Sequence, residues 1–211
     1  MPCSKKLAAI RWPRCSAISR PIWLGSMNAW NAEGAQIDGH LVLVGLPGSG
    51  KSTVGRTVAK RLGRPFLDYD VEIERRVGMS VARFFAERGE PAFRELEVDL
   101  TRELAAAPPM VLAPGGGWVT NPGVMELLRP PGRIIHLRIS PAEAVRRLSR
   151  SRVVRPLLQQ ADPAIKMQAL WEARGPLYAQ ADLEVNVETL SQQQVMETVQ
   201  ALARDGTPRI G

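Results

Sequence analysis

Asp68 and Asp70, two residues apart in Phe66-Leu67-Asp68-Tyr69-Asp70, follow an apolar pair and so fall at the end of a buried strand. On an extended chain, positions i and i+2 share a face. Like charges placed there repel, and burying either one is costly without a partner. A cation and a reactive hydroxyl would relieve both problems. One acid would hold the cation or its water, and the other would accept a hydrogen bond, and a proton, from the hydroxyl. The plainer alternative is that Asp70 caps the helix that Val71-Glu72-Ile73-Glu74-Arg75-Arg76-Val77-Gly78 would form. The pair alone leaves the two readings balanced.

A second stretch supplies the other reactant. Gly45-Leu46-Pro47-Gly48-Ser49-Gly50-Lys51-Ser52 fits G-x4-G-K-S between an apolar run and an amphipathic one. Glycines bring backbone N–H groups close to phosphate oxygens, and a helix N-terminus adds its partial positive charge. Lys51 would reach the β- and γ-phosphates of ATP, and the Ser52 hydroxyl would bind Mg2+. Gly48, Ser49, Gly50, Lys51, Ser52 and Thr53 are therefore the candidate ATP-binding residues. With such a loop on the same rim, one of the two acids can serve the metal and the other the attacking hydroxyl. A phosphate loop does not name its reaction, however; kinases, switches and motors all use one.

Three further groups are weaker taken singly. Arg94 and Glu97 in Pro91-Ala92-Phe93-Arg94-Glu95-Leu96-Glu97 lie three apart on one helix face, where a surface ion pair is the ordinary outcome. Arg174 sits between Trp171 and Leu177-Tyr178, a setting that favours partial burial and is explained as well by packing as by binding. Gly115, Gly116 and Gly117 allow close backbone approach to a ligand, or form a plain loop.

The elements that must position these groups follow from periodicity. Short apolar runs predict strands over Leu41–Gly45, Pro65–Asp68, Met110–Ala113, Arg133–Ile139 and Leu183–Val187. After Lys51, Val54, Val58 and Leu62 recur every fourth position and Gly63 ends the helix. Pro91 opens another helix, with Phe93, Leu96, Leu100 and Leu104 on one stripe. Asp162-Pro163 reads as an N-cap with proline behind it, Ser191 and Gln194 as a capping box, and Gly206 as a stop. Strands alternating with helices give a single-domain α/β fold, a parallel sheet with helices on both faces. Between Ser149 and Asp162 an arginine-rich stretch without clear period reads as a mobile loop.

Charge excludes one class of function. The chain has 211 residues and a net charge of +7, but Lys5, Lys6, Arg11, Arg14 and Arg20 precede the first acid, Glu33, so only +2 belongs to the remainder. A nucleic-acid footprint is not expected there. With 45% apolar and 23% charged residues the composition is that of a soluble globular protein, and no apolar run is long enough to span a membrane. Both cysteines, Cys3 and Cys15, lie in the basic segment, so a disulfide framework is not expected and a reducing, cytoplasmic setting is. Residues 1–39 read as a basic, disordered extension, with organelle targeting as the lesser alternative. Residues 40–206 form the domain, with a lid at about 149–162, and 207–211 form a tail.

Taken in order, G-x4-G-K-S, Phe66-Leu67-Asp68-Tyr69-Asp70, Phe93-Arg94-Glu95-Leu96-Glu97, Gly115-Gly116-Gly117, Arg155-Pro156-Leu157-Leu158 and Arg174-Gly175-Pro176-Leu177-Tyr178 resemble the shikimate kinases, small P-loop kinases related to nucleoside monophosphate kinases. The resemblance runs from about Leu41 to about Arg204. It implies a five-stranded sheet of order 2-3-1-4-5 with a mobile lid, and phosphorylation of the 3-hydroxyl of shikimate by ATP with Mg2+. It implies that Lys51 and Ser52 hold ATP and the metal, with Asp68 on the metal's water shell, and that Asp70 is the base. It implies that Arg94 and Arg174 grip the substrate carboxylate, that Glu97 orients Arg94 and that Gly115, Gly116 and Gly117 line the pocket. Arg155 would belong to the lid, touching the phosphates, and Arg147 would pack on adenine. A monomer acting on small molecules is expected. Pro114 departs from the pattern: it lacks an N–H, holds Ala113 extended and bears on the position of the glycine loop. A gluconate kinase-like enzyme shares the phosphate loop and the strand-end acid but gives no reason for the other motifs. A non-catalytic ligand sensor on the same fold is the alternative of a different class.

Overall fold

Leu41, Val42, Leu43 and Val44 form β1 (Leu41–Val44), and none is more than 2% exposed. Successive side chains of a strand point to opposite faces, so both faces of this strand are covered. It lies in a parallel sheet with β2 (Phe66–Asp68), β3 (Val111–Ala113), β4 (Arg133–Arg138) and β5 (Leu183–Asn186), in the order β2-β3-β1-β4-β5. This computed structural model describes residues 37–150 and 162–205. The expectations for nearly all of the basic extension, for Arg155 and most of the lid, for Gly206 and for the C-terminal tail lie outside the described residues.

Each strand is one residue shorter than its sequence pattern suggests. At β1 the reason is Gly45, whose φ of 145° turns the chain out of the strand. Register sets the working rim: Asp68 pairs with Ala113 and Val44 with His136. The carboxyl ends of β2, β3 and β1 therefore lie side by side, and the acid pair, the glycine triplet and the phosphate loop all leave the sheet from one edge. Ligands of open α/β sheets bind at such an edge.

Among the described residues the helices are α1 (Lys51–Leu62), α2 (Tyr69–Val77), α3 (Val81–Ala105), α4 (Pro141–Ser149), α5 (Pro163–Tyr178) and α6 (Gln192–Asp205). The Val54, Val58, Leu62 stripe of α1 is buried, and α1 packs on α6. Helix α3 breaks at Gly89 (φ 81°, ψ 163°), and Pro91 opens the limb that carries Phe93, Leu96, Leu100 and Leu104 inward. Two polar residues, Glu97 and Thr101, share that buried stripe. Asp162 accepts from the N–H groups of Ala164 and Ile165, and Ser191 and Gln194 exchange side-chain-to-backbone bonds of 2.9 and 3.2 Å. Both caps are as the sequence implied. Helix α4 was not anticipated, although Ser140-Pro141 with Glu143 behind it carries a start signature; Ser140 accepts from Glu143 N–H. No helix among the described residues is long and apolar enough to cross a membrane.

Candidate active site

Gly50 takes a left-handed conformation (φ 92°, ψ 13°) at the start of α1, which glycine adopts without a Cβ penalty. The turn aims the first N–H groups of α1 at the loop Gly45 to Gly50. Lys51 folds back over the loop, its Nζ donating to the carbonyls of Gly45 at 2.8 Å and Leu46 at 3.1 Å. Ser49 is buried, and Thr53 is exposed on the first turn of α1. Helix α4 backs the loop: a methyl group on Gly48 would lie 3.0 Å from the Ala144 carbonyl oxygen. On the next turn Arg147 donates to Glu143 at 2.8 Å and to the Val187 carbonyl at 2.6 Å, beside the end of β5. Arg147 is thus on the phosphate-loop side.

Across the loop, Ser52 Oγ donates to Asp68 Oδ2 at 2.6 Å. The other oxygen of Asp68 accepts from the Asp70 backbone N–H at 3.2 Å and caps α2. The cap is therefore Asp68, and the reading of Asp70 as a cap is corrected. Geometry explains the exchange: the helix begins at Tyr69, so the residue with extended backbone just before it is Asp68.

The glycine triplet collects the remaining residues. A methyl group on Gly115 would lie 3.1 Å from both Asp70 Oδ1 and Glu97 Oε1. On Gly116 it would lie 3.3 Å from Pro47 Cδ, 3.4 Å from the Gly45 carbonyl oxygen and 3.5 Å from Arg174 Nη1. On Gly117 it would overlap the Arg94 guanidinium, 2.0 Å from Nη2 and 2.4 Å from Cζ. One short loop therefore touches the strand-end acid, the phosphate loop and both arginines. Arg94 donates from Nη1 to Glu97 Oε2 at 2.6 Å and from Nη2 to Glu90. Glu97 is fully buried, and Asn121 Nδ2 also donates to its Oε2, at 3.2 Å.

A family model for shikimate kinase matches residues 47–203. The chain belongs to the shikimate kinase family. It is 48% identical over 150 residues to a shikimate kinase of Paracidovorax citrulli, covering 70% of this chain and 80% of that one. It is 52% identical over 137 residues to one of Mycobacterium bovis, covering 65% and 77%. Among solved structures, a shikimate kinase from Acinetobacter baumannii in complex with shikimate superposes with a TM-score of 0.69 at 36% identity, covering 78% of this chain and 90% of that one.

Around Gly115 and Gly117 the electrostatics are those of closely packed, largely buried charged groups. Burial pushes the Glu97 carboxyl up to about 7, against the pull of Arg94 and Asn121, and the nearby Asp70 pushes it the same way. Burial works to lower the Arg94 guanidinium, but the carboxylates of Glu97 and Glu90 outweigh it and hold it above its ordinary value. Arg94 draws Glu90 below the usual carboxylate range. Arg94 Nε and Glu97 Oε1 are buried and lack a hydrogen-bond partner among the described residues. Pro114, which the sequence reading set apart, is buried just before the glycine triplet.

Three residues at the site had no role in the sequence reading. Glu90 was legible, since it lies four before Arg94 on a helix. Tyr178 was noted only as an aromatic flank of Arg174, yet its hydroxyl donates to the Gly116 carbonyl at 2.6 Å. Burial pushes that hydroxyl up to about 12, and the Arg174 guanidinium offsets part of the effect. Asn121 had no local signal; it reaches Glu97 only because the turn after the glycines folds over α3.

Proposed function

We infer that this shikimate kinase family member transfers the γ-phosphoryl group of ATP to the 3-hydroxyl of shikimate, giving shikimate 3-phosphate and ADP. The observation that carries the residue assignments is the glycine triplet, with Asp70 and Glu97 against Gly115, the phosphate loop and Arg174 against Gly116, and Arg94 against Gly117. A phosphate donor and an anionic acceptor would meet over that loop.

In this reading Arg94 and Arg174 hold the shikimate carboxylate. A planar guanidinium matches it through two bonds, where an ammonium would be a point charge. Fixing the acid end of the ring aims one hydroxyl at the phosphorus. Asp70 accepts the hydrogen bond of that hydroxyl. As the new O–P bond forms and the bond to the β–γ bridging oxygen breaks, the proton passes to Asp70 and ADP leaves with the bond electrons. Lys51 leaves its loop carbonyls for the phosphate oxygens, and Arg147 sits beside the nucleotide base. Arg155 would reach the phosphates from the lid.

Ser52 and Asp68 fit Mg2+. They are two hard oxygen donors already 2.6 Å apart beside the phosphate loop, and this ion takes few protein ligands, completing its shell with water and phosphate. When bound it neutralises charge on the β- and γ-phosphates. A cytoplasmic monomer belongs to the same reading, and sedimentation of the purified protein tests the oligomeric part.

The deciding experiment is a coupled ADP-release assay with ATP and a panel of cyclic and linear hydroxy acids. Turnover is expected with shikimate and not with gluconate. Equal turnover with gluconate, or ATP and shikimate binding without turnover, would remove this reading in favour of a broader sugar-acid kinase or of a sensor. Arg174→Lys should raise the shikimate KM about tenfold or more while leaving that for ATP in place.

A further inference from the structure

The acid pair, the Arg94 helix and the glycine loop are three separate segments, and one buried hydroxyl ties them together. Thr101 lies on α3 one turn beyond Glu97 and is fully buried. Its Oγ1 donates to the Glu97 carbonyl at 2.7 Å. It receives Trp118 Nε1 at 2.9 Å and lies 3.1 Å from the Tyr69 hydroxyl. A threonine hydroxyl has one proton and two lone pairs. The proton goes to the Glu97 carbonyl. An indole N–H can only donate, so it takes one lone pair. The Tyr69 hydroxyl is also fully buried and satisfies its proton by donating to the other. Thr101 is thereby saturated.

Its two donors come from the working parts of the site. Tyr69 stands between Asp68 and Asp70. Trp118 follows Gly117, against which the Arg94 guanidinium lies. The rings of Tyr69 and Trp118 meet edge to face, with centroids 6.4 Å apart and planes at 73°. A second path closes the ring: Asn121 Nδ2 donates both to the Trp118 carbonyl at 3.0 Å and to Glu97 Oε2 at 3.2 Å. Burial holds the Tyr69 phenol well above its ordinary range, so it stays a donor.

We propose that Thr101 is a positioning residue for phosphoryl transfer: through Tyr69 and Trp118 its hydroxyl sets the spacing among Asp70, Glu97 and the glycine loop, and so the fit of the acceptor. Asp68, the neighbour of Tyr69 on the phosphate-loop side, is fixed separately by its own 2.6 Å bond to Ser52. The acceptor half should therefore depend on Thr101, and the ATP half should not. The inference rests on the proposed shikimate phosphorylation and on the acceptor-side roles given to Asp70 and Arg94; wild-type turnover of shikimate tests the first by itself, and Asp70→Asn and Gly117→Ala test the second.

The test compares Thr101→Val, which keeps shape and removes the hydroxyl, with Thr101→Ser, which keeps the hydroxyl. For each, kcat and the KM for shikimate and for ATP are measured alongside the urea midpoint. Thr101→Val should lose about tenfold or more in kcat/KM for shikimate, with KM for ATP within about twofold of wild type. Thr101→Ser should restore most of that loss even where its stability is the lower of the two. Wild-type kcat/KM for shikimate in Thr101→Val, equal impairment of both variants, or a parallel rise in KM for ATP would each overturn the proposal. Should Thr101→Val fail to fold, Tyr69→Phe and Trp118→Phe decide, each deleting one donor. A selective loss on the shikimate side supports the proposal, and unchanged shikimate kinetics in both overturns it.

Discussion

Asp70 and Glu97 face one another across Gly115, each with a carboxylate oxygen 3.1 Å from the point a methyl group there would occupy. Two acids from different segments thus share one small space with Arg94 beside them. Burial pushes the Glu97 carboxyl toward neutrality, and the nearby Asp70 carboxylate pushes it the same way. In the proposed reading, Arg94 stays available to a carboxylate substrate while less negative charge stands beside it to repel that group.

Gly117 makes the sharpest steric prediction. Its backbone (φ −92°, ψ −6°) suits any residue, so Gly117→Ala should fold normally. The added methyl would nevertheless fall 2.0 Å from Arg94 Nη2, and the flexible arginine must give way. KM for shikimate should rise about tenfold, as for loss of one charge-assisted contact, with KM for ATP unchanged. Unaltered shikimate kinetics would mean that the guanidinium does not work from this position.

Asp70→Asn preserves size and leaves the Asp68 cap in place, because that bond uses the backbone N–H of residue 70. ATP affinity by titration calorimetry should be retained, and kcat should fall about 10² to 10⁴-fold. A kcat within a few-fold of wild type would strip Asp70 of its role as base.

Glu97 predicts a pH effect on stability. Its folded value, about 7, lies above its ordinary 4.5. Between those two values the folded protein holds a proton that the unfolded chain has released, so stability falls as pH rises through that window and is level above it. The difference is on the order of 3 kcal/mol. Urea midpoints of wild type and Glu97→Gln at pH 5 and pH 8 isolate it: wild type should lose ground to the variant at the higher pH. A difference between wild type and variant that does not change with pH would show that Arg94 keeps Glu97 ionised throughout.

Lys51→Met should abolish measurable ATP binding while shikimate binding, followed by calorimetry, stays within about threefold of wild type. The lysine bonds to carbonyls of its own loop, and the residues proposed to hold the acceptor lie on other segments. Joint loss of both ligands would point to collapse of the loop instead.

Much of this was written locally. The phosphate loop, the stripe on α1, the proline that opens the second limb of α3 and the caps at Asp162 and Ser191 follow from residue types at spacings of a few positions, where backbone geometry alone decides who meets whom. The alternation of strand and helix likewise fixed a parallel α/β sheet. Spacing could not choose between Asp68 and Asp70 as the helix cap, because that depends on where the strand hands over to α2. Nor could it place Arg94 against Gly117, Tyr178 on the Gly116 carbonyl or Asn121 on Glu97. Those contacts join segments far apart in the chain. They exist because β2, β3 and β1 are neighbours with their ends in register, and because close packing on α3 leaves each buried polar group only the partners that the sheet order brings to it.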